Sequence, residues 1–236
     1  MRTVNIEPPA EIGVRDGLRY ALFLPGAAPA GGVVVLHGAG SAKESHYDFA
    51  RRCRAHGLAA VAFDQRGHGD STGELGGGAL SDVATIAALL REHGAPRIGL
   101  RGSSLGGYMA LVAARPADAD AVVAICAASA GGLRRGLAAG RFDFRADHPA
   151  LDALFAAHDE VEAARTLDRP LLLLHADGDE QVPAAQSRRL HDAAAGSRLV
   201  VVPGGHHRSV QHDAELQDLS VRFLLRAFAS DERAPA

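Results

Sequence analysis

The chain has no tryptophan, a single lysine (Lys43) and only two cysteines, Cys53 and Cys126. Two thiols cannot build a framework of disulfide staples. Cys53 sits in a helical stretch and Cys126 near the end of an apolar run, so both are expected as buried thiols suited to a reducing compartment. No apolar run approaches the roughly 18 to 20 residues needed to span a bilayer. The opening residues, Met1-Arg2-Thr3-Val4-Asn5-Ile6-Glu7-Pro8-Pro9, lack the apolar core of a signal peptide, and we expect a cytoplasmic protein without membrane insertion. A basic surplus is missing too: the net charge is −3, which argues against a nucleic-acid partner. The 12 histidines are scattered, without His-Glu-x-x-His or Cys/His clustering, so no metal and no other cofactor is expected. Gly76-Gly77-Gly78 and Gly204-Gly205 lack the Lys-Ser/Thr ending of a phosphate loop.

What is present is an alternation of apolar runs and helical patterns. A chain of 236 residues with 47% hydrophobic content is enough for one domain, residues 1–236, with a sizeable core. Val4–Ile6 and Tyr20–Leu24 read as a leading pair of strands joined through Asp16-Gly17. Strands are expected at Val33–Leu36, Ala59–Phe63, Arg97–Leu100, Ala121–Cys126, Leu171–Leu174 and Leu199–Val202. Helices are expected at Asp48–His56, Leu80–His93, from Leu105, from Pro183 to Ala195, and from Asp213 to Phe228. This alternation predicts an α/β fold, a mostly parallel sheet with helices on both faces. Residues 129–169 break it, and we expect a small lid or cap there, with Phe142, Phe144, Leu151 and Phe155 as candidate substrate contacts. An exposed apolar face on that lid would support a homodimer. Arg134, Arg135, Arg141 and Arg145 lie among Asp143, Asp147, Asp152, Asp159, Glu160 and Glu162, so a solvated, charge-balanced face is expected.

Gly102-Ser103-Ser104-Leu105-Gly106 follows the Arg97–Leu100 run and opens an alanine-rich helix. A Gly-x-Ser-x-Gly on a strand-to-helix turn has the form of a nucleophile elbow, in which the serine takes a strained conformation with its hydroxyl exposed. Positions two before and two after the serine then lie too close for side chains, which selects Ser104; Ser103 is flanked by Arg101 and Leu105. A serine needs a base, and the base an orienting acid. Strand Leu171–Leu174 runs into an acidic loop, His175-Ala176-Asp177-Gly178-Asp179, and strand Leu199–Val202 runs into His206-His207. In a parallel sheet both loops reach the edge that carries Ser104.

With these stretches, His37-Gly38-Ala39-Gly40 and Asp64-Gln65-Arg66-Gly67-His68-Gly69-Asp70-Ser71, the chain resembles the α/β-hydrolase family of serine hydrolases from about Gly31 to Phe228. The resemblance implies Asp179 as the acid, in an Asp-x-x-Val-Pro pattern ending at Pro183, and His207 as the base. It implies an oxyanion hole from the backbone N–H groups of Leu105 and Ala39. His37, Arg66 and His68 are expected to be structural. The function expected is hydrolysis of small to medium carboxylic esters through an acyl-enzyme. An amide, peptide or thioester hydrolase with the same residues is the alternative, and a non-catalytic binding domain a second one.

Overall fold

The apolar runs become the inner strands of one sheet. The computed structural model describes residues 7–230. Its eight strands are β1 (Glu11–Arg15), β2 (Leu18–Phe23), β3 (Gly32–Leu36), β4 (Ala59–Phe63), β5 (Ile98–Ser103), β6 (Ala121–Ile125), β7 (Leu171–Ala176) and β8 (Arg198–Val202), in the order β1-β2-β4-β3-β5-β6-β7-β8. β1 and β2 pair antiparallel to each other, and β2 antiparallel to β4. Every later pair is parallel. Strands β3 to β7 are buried along their whole length, with helices on both faces, and β3, β4 and β6 show the near-continuous apolar runs that such cover calls for.

The helices are α1 (Tyr47–Ala55), α2 (Ala79–Glu92), α3 (Leu105–Val112), α4 (Ala130–Ala138), α5 (His148–Ala157), α6 (Glu160–Arg165), α7 (Ala185–Ala193), α8 (Ser209–His212) and α9 (Ala214–Ala229), preceded by a short 3-10 turn at Lys43–His46. Phe49 and Cys53 of α1 and Val221 and Leu224 of α9 pack on one face; α2, α3 and α5 fill the other through Ile86, Leu90, Tyr108, Met109 and Phe155. All eight residues of α3 are buried, so this helix is apolar all round and rigidly placed. Sheet order reverses between β3 and β5, whose following segments leave toward opposite faces. A crevice opens there at the carboxyl ends of the strands, where open α/β sheets place their ligands.

Two expectations need correction. The strand that pairs with β2 is Glu11–Arg15, turning through Asp16 (φ 50°) and Gly17 (φ 80°); Val4–Ile6 lies outside the described residues. Residues 129–169 form α4, α5 and α6 between β6 and β7, and α5 turns one face into the core: Leu151 and Phe155 are 0% and 2% exposed, with Phe155 edge-on to Tyr108 at 5.4 Å, so these two are packing residues rather than substrate contacts. Among the described residues the exposed large apolar side chains are Ile12 and Val14, both on β1.

Candidate active site

β5 leaves the sheet through Gly102 and Ser103 and turns at once into α3, with Ser104 on the corner at φ 55°, ψ −117°. This is a strained conformation for a residue with a side chain, costing on the order of 1–3 kcal/mol. The surroundings hold it. Ser104 N–H donates to the Ile125 carbonyl (2.9 Å), and its own carbonyl accepts from Tyr108 (3.0 Å) and Ala128 (3.1 Å) N–H groups. A Cβ on Gly102 would strike the Gly106 carbonyl, and one on Gly106 would strike the Leu36 carbonyl. The two glycines are therefore a steric requirement of the corner.

Across the crevice, β7 ends in the loop bearing Asp179. One carboxylate oxygen, Oδ1, accepts the N–H groups of Gln181 (2.8 Å) and Val182 (2.9 Å), while Oδ2 accepts from His207 Nδ1 at 2.7 Å. Burial is the largest influence and pushes this carboxyl up; the hydrogen bonds from Val182, His207 and Gln181 together outweigh it and hold Asp179 below the usual carboxylate range. Its neighbours are also buried. His175 lies with Nε2 at 3.5 Å from Oδ2 and is fixed by Ser187 Oγ and the Val182 carbonyl. Cys126, buried against Asp179, has its thiol pushed up to about 12 by burial. The neighbouring candidates point elsewhere: Asp177 is exposed and meets Arg188 at 3.4 Å, and His206 is exposed, with Nδ1 accepting the Arg208 N–H.

Ser104 and His207 line the same cavity of about 760 Å³, together with Gly38 and Ala39. A Ser104 Oγ–His207 Nε2 contact is not among the hydrogen bonds of the described residues; such contacts are often long until substrate tightens them. With Nδ1 bonded to Asp179, Nε2 is the ring nitrogen of His207 without a hydrogen-bond partner among the described residues. Leu105 is the first residue of α3, so its N–H has no acceptor within the helix. Ala39 follows β3 on a loop brought close by Gly38, where a Cβ would sit 3.3 Å from Ser104 Cβ.

Loops after β3 and β4 are locked together below the cavity. His37 is fully buried, donates from Nδ1 to the Gly38 carbonyl (2.8 Å) and accepts the Gln65 N–H at Nε2 (3.0 Å). Burial lowers its pKa to about 4, so it is a neutral strut. Lys43 is 3% exposed and bridges Asp64 (2.8 Å) and Asp70 (3.1 Å). Arg66 grips Asp82 of α2 at 2.9 Å. His68 is buried, with Nε2 unpartnered, and its ring stacks on Phe144 at 4.3 Å. Of the four lid candidates Phe142 lines the cavity, Phe144 packs behind it on His68, and Leu151 and Phe155 belong to the core.

A family model described as serine aminopeptidase, S33, matches residues 27–146, slightly more than half of the chain, and a TAP-like protein model matches residues 155–232. The chain belongs to the α/β-hydrolase superfamily. This α/β-hydrolase is 29% identical to a monoacylglycerol lipase of Mycolicibacterium smegmatis, over 83% of this chain and 86% of that one. Its fold is similar to that of Est1E from Butyrivibrio proteoclasticus, solved with ferulic acid bound (TM-score 0.75, 19% identity, 94% of this chain and 100% of that one). It is also similar to a monoacylglycerol lipase of Paleococcus ferrophilus (TM-score 0.67, 23% identity, 89% and 98%). Among the described residues no helix is long and apolar enough to cross a membrane.

Proposed function

We propose that this α/β-hydrolase is a serine esterase using Ser104, His207 and Asp179. The observation that carries the reading is the 2.7 Å Asp179–His207 bond facing the same cavity as a serine held at φ 55° on its elbow. His207 takes the Ser104 proton as Oγ adds to the ester carbonyl, and Asp179 stabilises the imidazolium. The oxyanion is met by the N–H groups of Leu105 and Ala39; one such donor is typically worth about 3–4 kcal/mol of barrier. His207 then protonates the departing alcohol, and a water deprotonated by the same imidazole adds to the acyl-enzyme and releases the acid.

The named activities of the relatives, monoacylglycerol lipase and a ferulate-binding Est1E, support ester substrates. The aminopeptidase description of the family model favours an amide instead. Against it, the charged cavity wall holds Arg135, Arg141, Arg189 and Arg208 and, among the described residues, only one carboxylate, Glu180, which suits a peptide ammonium poorly. In this reading residues 129–169 are a lid contributing Leu133 and Phe142, and the acyl group is small to medium. Two buried unpaired cysteines suit a cytoplasmic protein. Rates on 4-nitrophenyl esters of increasing acyl length should peak at short to medium chains and fall at least about 10³-fold in Ser104→Ala. A peak at long chains overturns the size preference, and undiminished hydrolysis by Ser104→Ala overturns the mechanism.

A further inference from the structure

Charges in the 129–169 insertion balance in sequence but not in space. Arg134 is paired with Asp152 at 2.8 Å and Arg165 with Glu162 at 2.6 Å. Asp147 and Asp159 spend their carboxylates on the first N–H groups of α5 and α6, the usual work of an N-cap acid. Glu160 is buried, accepting the Ala130 N–H and the Gln186 amide. Arg169 meets Asp168 at 3.1 Å and Arg145 donates to the Ser71 carbonyl. That leaves Arg135 and Arg141, which these acids do not reach and which line the cavity containing Ser104 and His207.

Arg189 of α7 and Arg208, the neighbour of His207, complete the same wall. Among the described residues none of the four guanidinium groups is in an ion pair; Arg189 reaches only Gln186 Oε1, at 3.5 Å. Among the described residues Glu180 is the one carboxylate lining this cavity, and Arg208 also borders a smaller polar depression with Asp143. A protein of net charge −3 thus has a local positive excess at its candidate active site. Low-dielectric walls around a concave cluster of one sign focus its field on whatever enters. The four arginines are exposed on the cavity wall, and the backbone next to Arg141 is anchored where Phe142 packs on Gly136 and stacks with Phe144 at 5.4 Å, which in turn stacks on His68.

We propose that the cavity selects esters bearing a second, anionic group, a carboxylate or a phosphate, bound by Arg135, Arg141 and Arg189 while the ester carbonyl lies at Ser104. The selection rests on the serine-esterase reading for its chemistry, but the anion site can be read without turnover. Two matched pairs place the charge on either half of the ester. 4-Nitrophenyl hexanoate is compared with the mono-4-nitrophenyl ester of adipic acid, and butyryl esters of methyl 4-hydroxybenzoate and of 4-hydroxybenzoate form the second pair. Binding of all four to Ser104→Ala is measured by calorimetry, with inorganic phosphate as competitor, beside wild-type kcat/KM.

In at least one pair the charged ester should bind about tenfold more tightly at low ionic strength, with the gap narrowing as salt is raised. The preference should fall several-fold when Arg135→Gln and Arg141→Gln are added, and persist in Arg134→Gln, whose guanidinium is occupied by Asp152. Displacement by inorganic phosphate would assign a phosphate-accepting site, and resistance to it a carboxylate one. Equal binding in both pairs overturns the proposal, as does a preference that survives the double substitution. If Ser104→Ala binds the charged ester selectively while wild type cleaves none of the four, the esterase reading fails and the anion site stands.

Discussion

Acidification from pH 7 to pH 5 should weaken the folded state through its buried neutral histidines. Burial, reinforced by His68, lowers His37 to about 4. Burial likewise lowers His46 well below its ordinary value, next to Arg101, and lowers His68 and His175. The unfolded chain titrates these groups near 6.5. Below that pH it binds protons that the folded chain refuses, so stability is fully present above pH 6.5 and is lost as pH falls. For His37, a folded value of about 4 means a loss of about 2 kcal/mol between pH 7 and pH 5, approaching about 3 kcal/mol once the pH is below 4. The other three act in the same direction. Asp179 contributes in the usual carboxylate sense: its lowered value adds stability above the unfolded carboxylate range and withdraws it only at lower pH. Urea unfolding at pH 7, 6 and 5 reads the effect directly. His46→Phe, which removes a buried ring whose Nε2 has no partner, should flatten the dependence. An unfolding free energy constant within about 0.5 kcal/mol over this range would refute the assignment of neutral buried histidines.

Two further outcomes are expected. Asp179→Asn should lower kcat by about 10⁴-fold, as an amide facing Nδ1 holds the imidazole in the wrong tautomer and no longer stabilises the imidazolium, whereas Asp177→Asn should change it little; steady-state rates on one activated ester separate the two. Lys43→Met leaves the buried Asp64 carboxylate without its cation and should cost about 3 kcal/mol, a fall of roughly 6–12 °C in Tm by calorimetry, while Arg15→Gln at an exposed pair with Glu92 should leave Tm unchanged.

Much of this was legible in the sequence, for physical reasons. β4 coincides with Ala59–Phe63 as read, because a strand covered on both faces leaves an unbroken apolar run. Helix α9 starts where Asp213 caps it, accepting the Leu216 N–H. The spacing of Gly102 and Gly106 states the close backbone approach that the corner requires. Other features depend on tertiary context. β1 is an edge strand whose Ile12 and Val14 face solvent, so its alternation carries no core signal. β5 runs past Leu100 because Arg101 is buried over the Phe49 ring at 3.8 Å, a partner that no local pattern reveals. Leu151 and Phe155 read as lid contacts since sequence cannot say that α5 docks on α3. Arg135 and Arg141 read as part of a balanced face since a tally of acids ignores which carboxylates are spent on helix caps. At the candidate site the resemblance already favours Asp179 and His207 over Asp177 and His206, and the structure adds the contact no sequence pattern carries, the 2.7 Å Asp179–His207 bond, while Asp177 meets Arg188.

The central claim is an activated Ser104, and the intact mass of the protein after incubation with a fluorophosphonate ester tests it most directly. The account predicts a single adduct on wild type that is absent from Ser104→Ala. No adduct on folded wild type, or one that persists in Ser104→Ala, would contradict it.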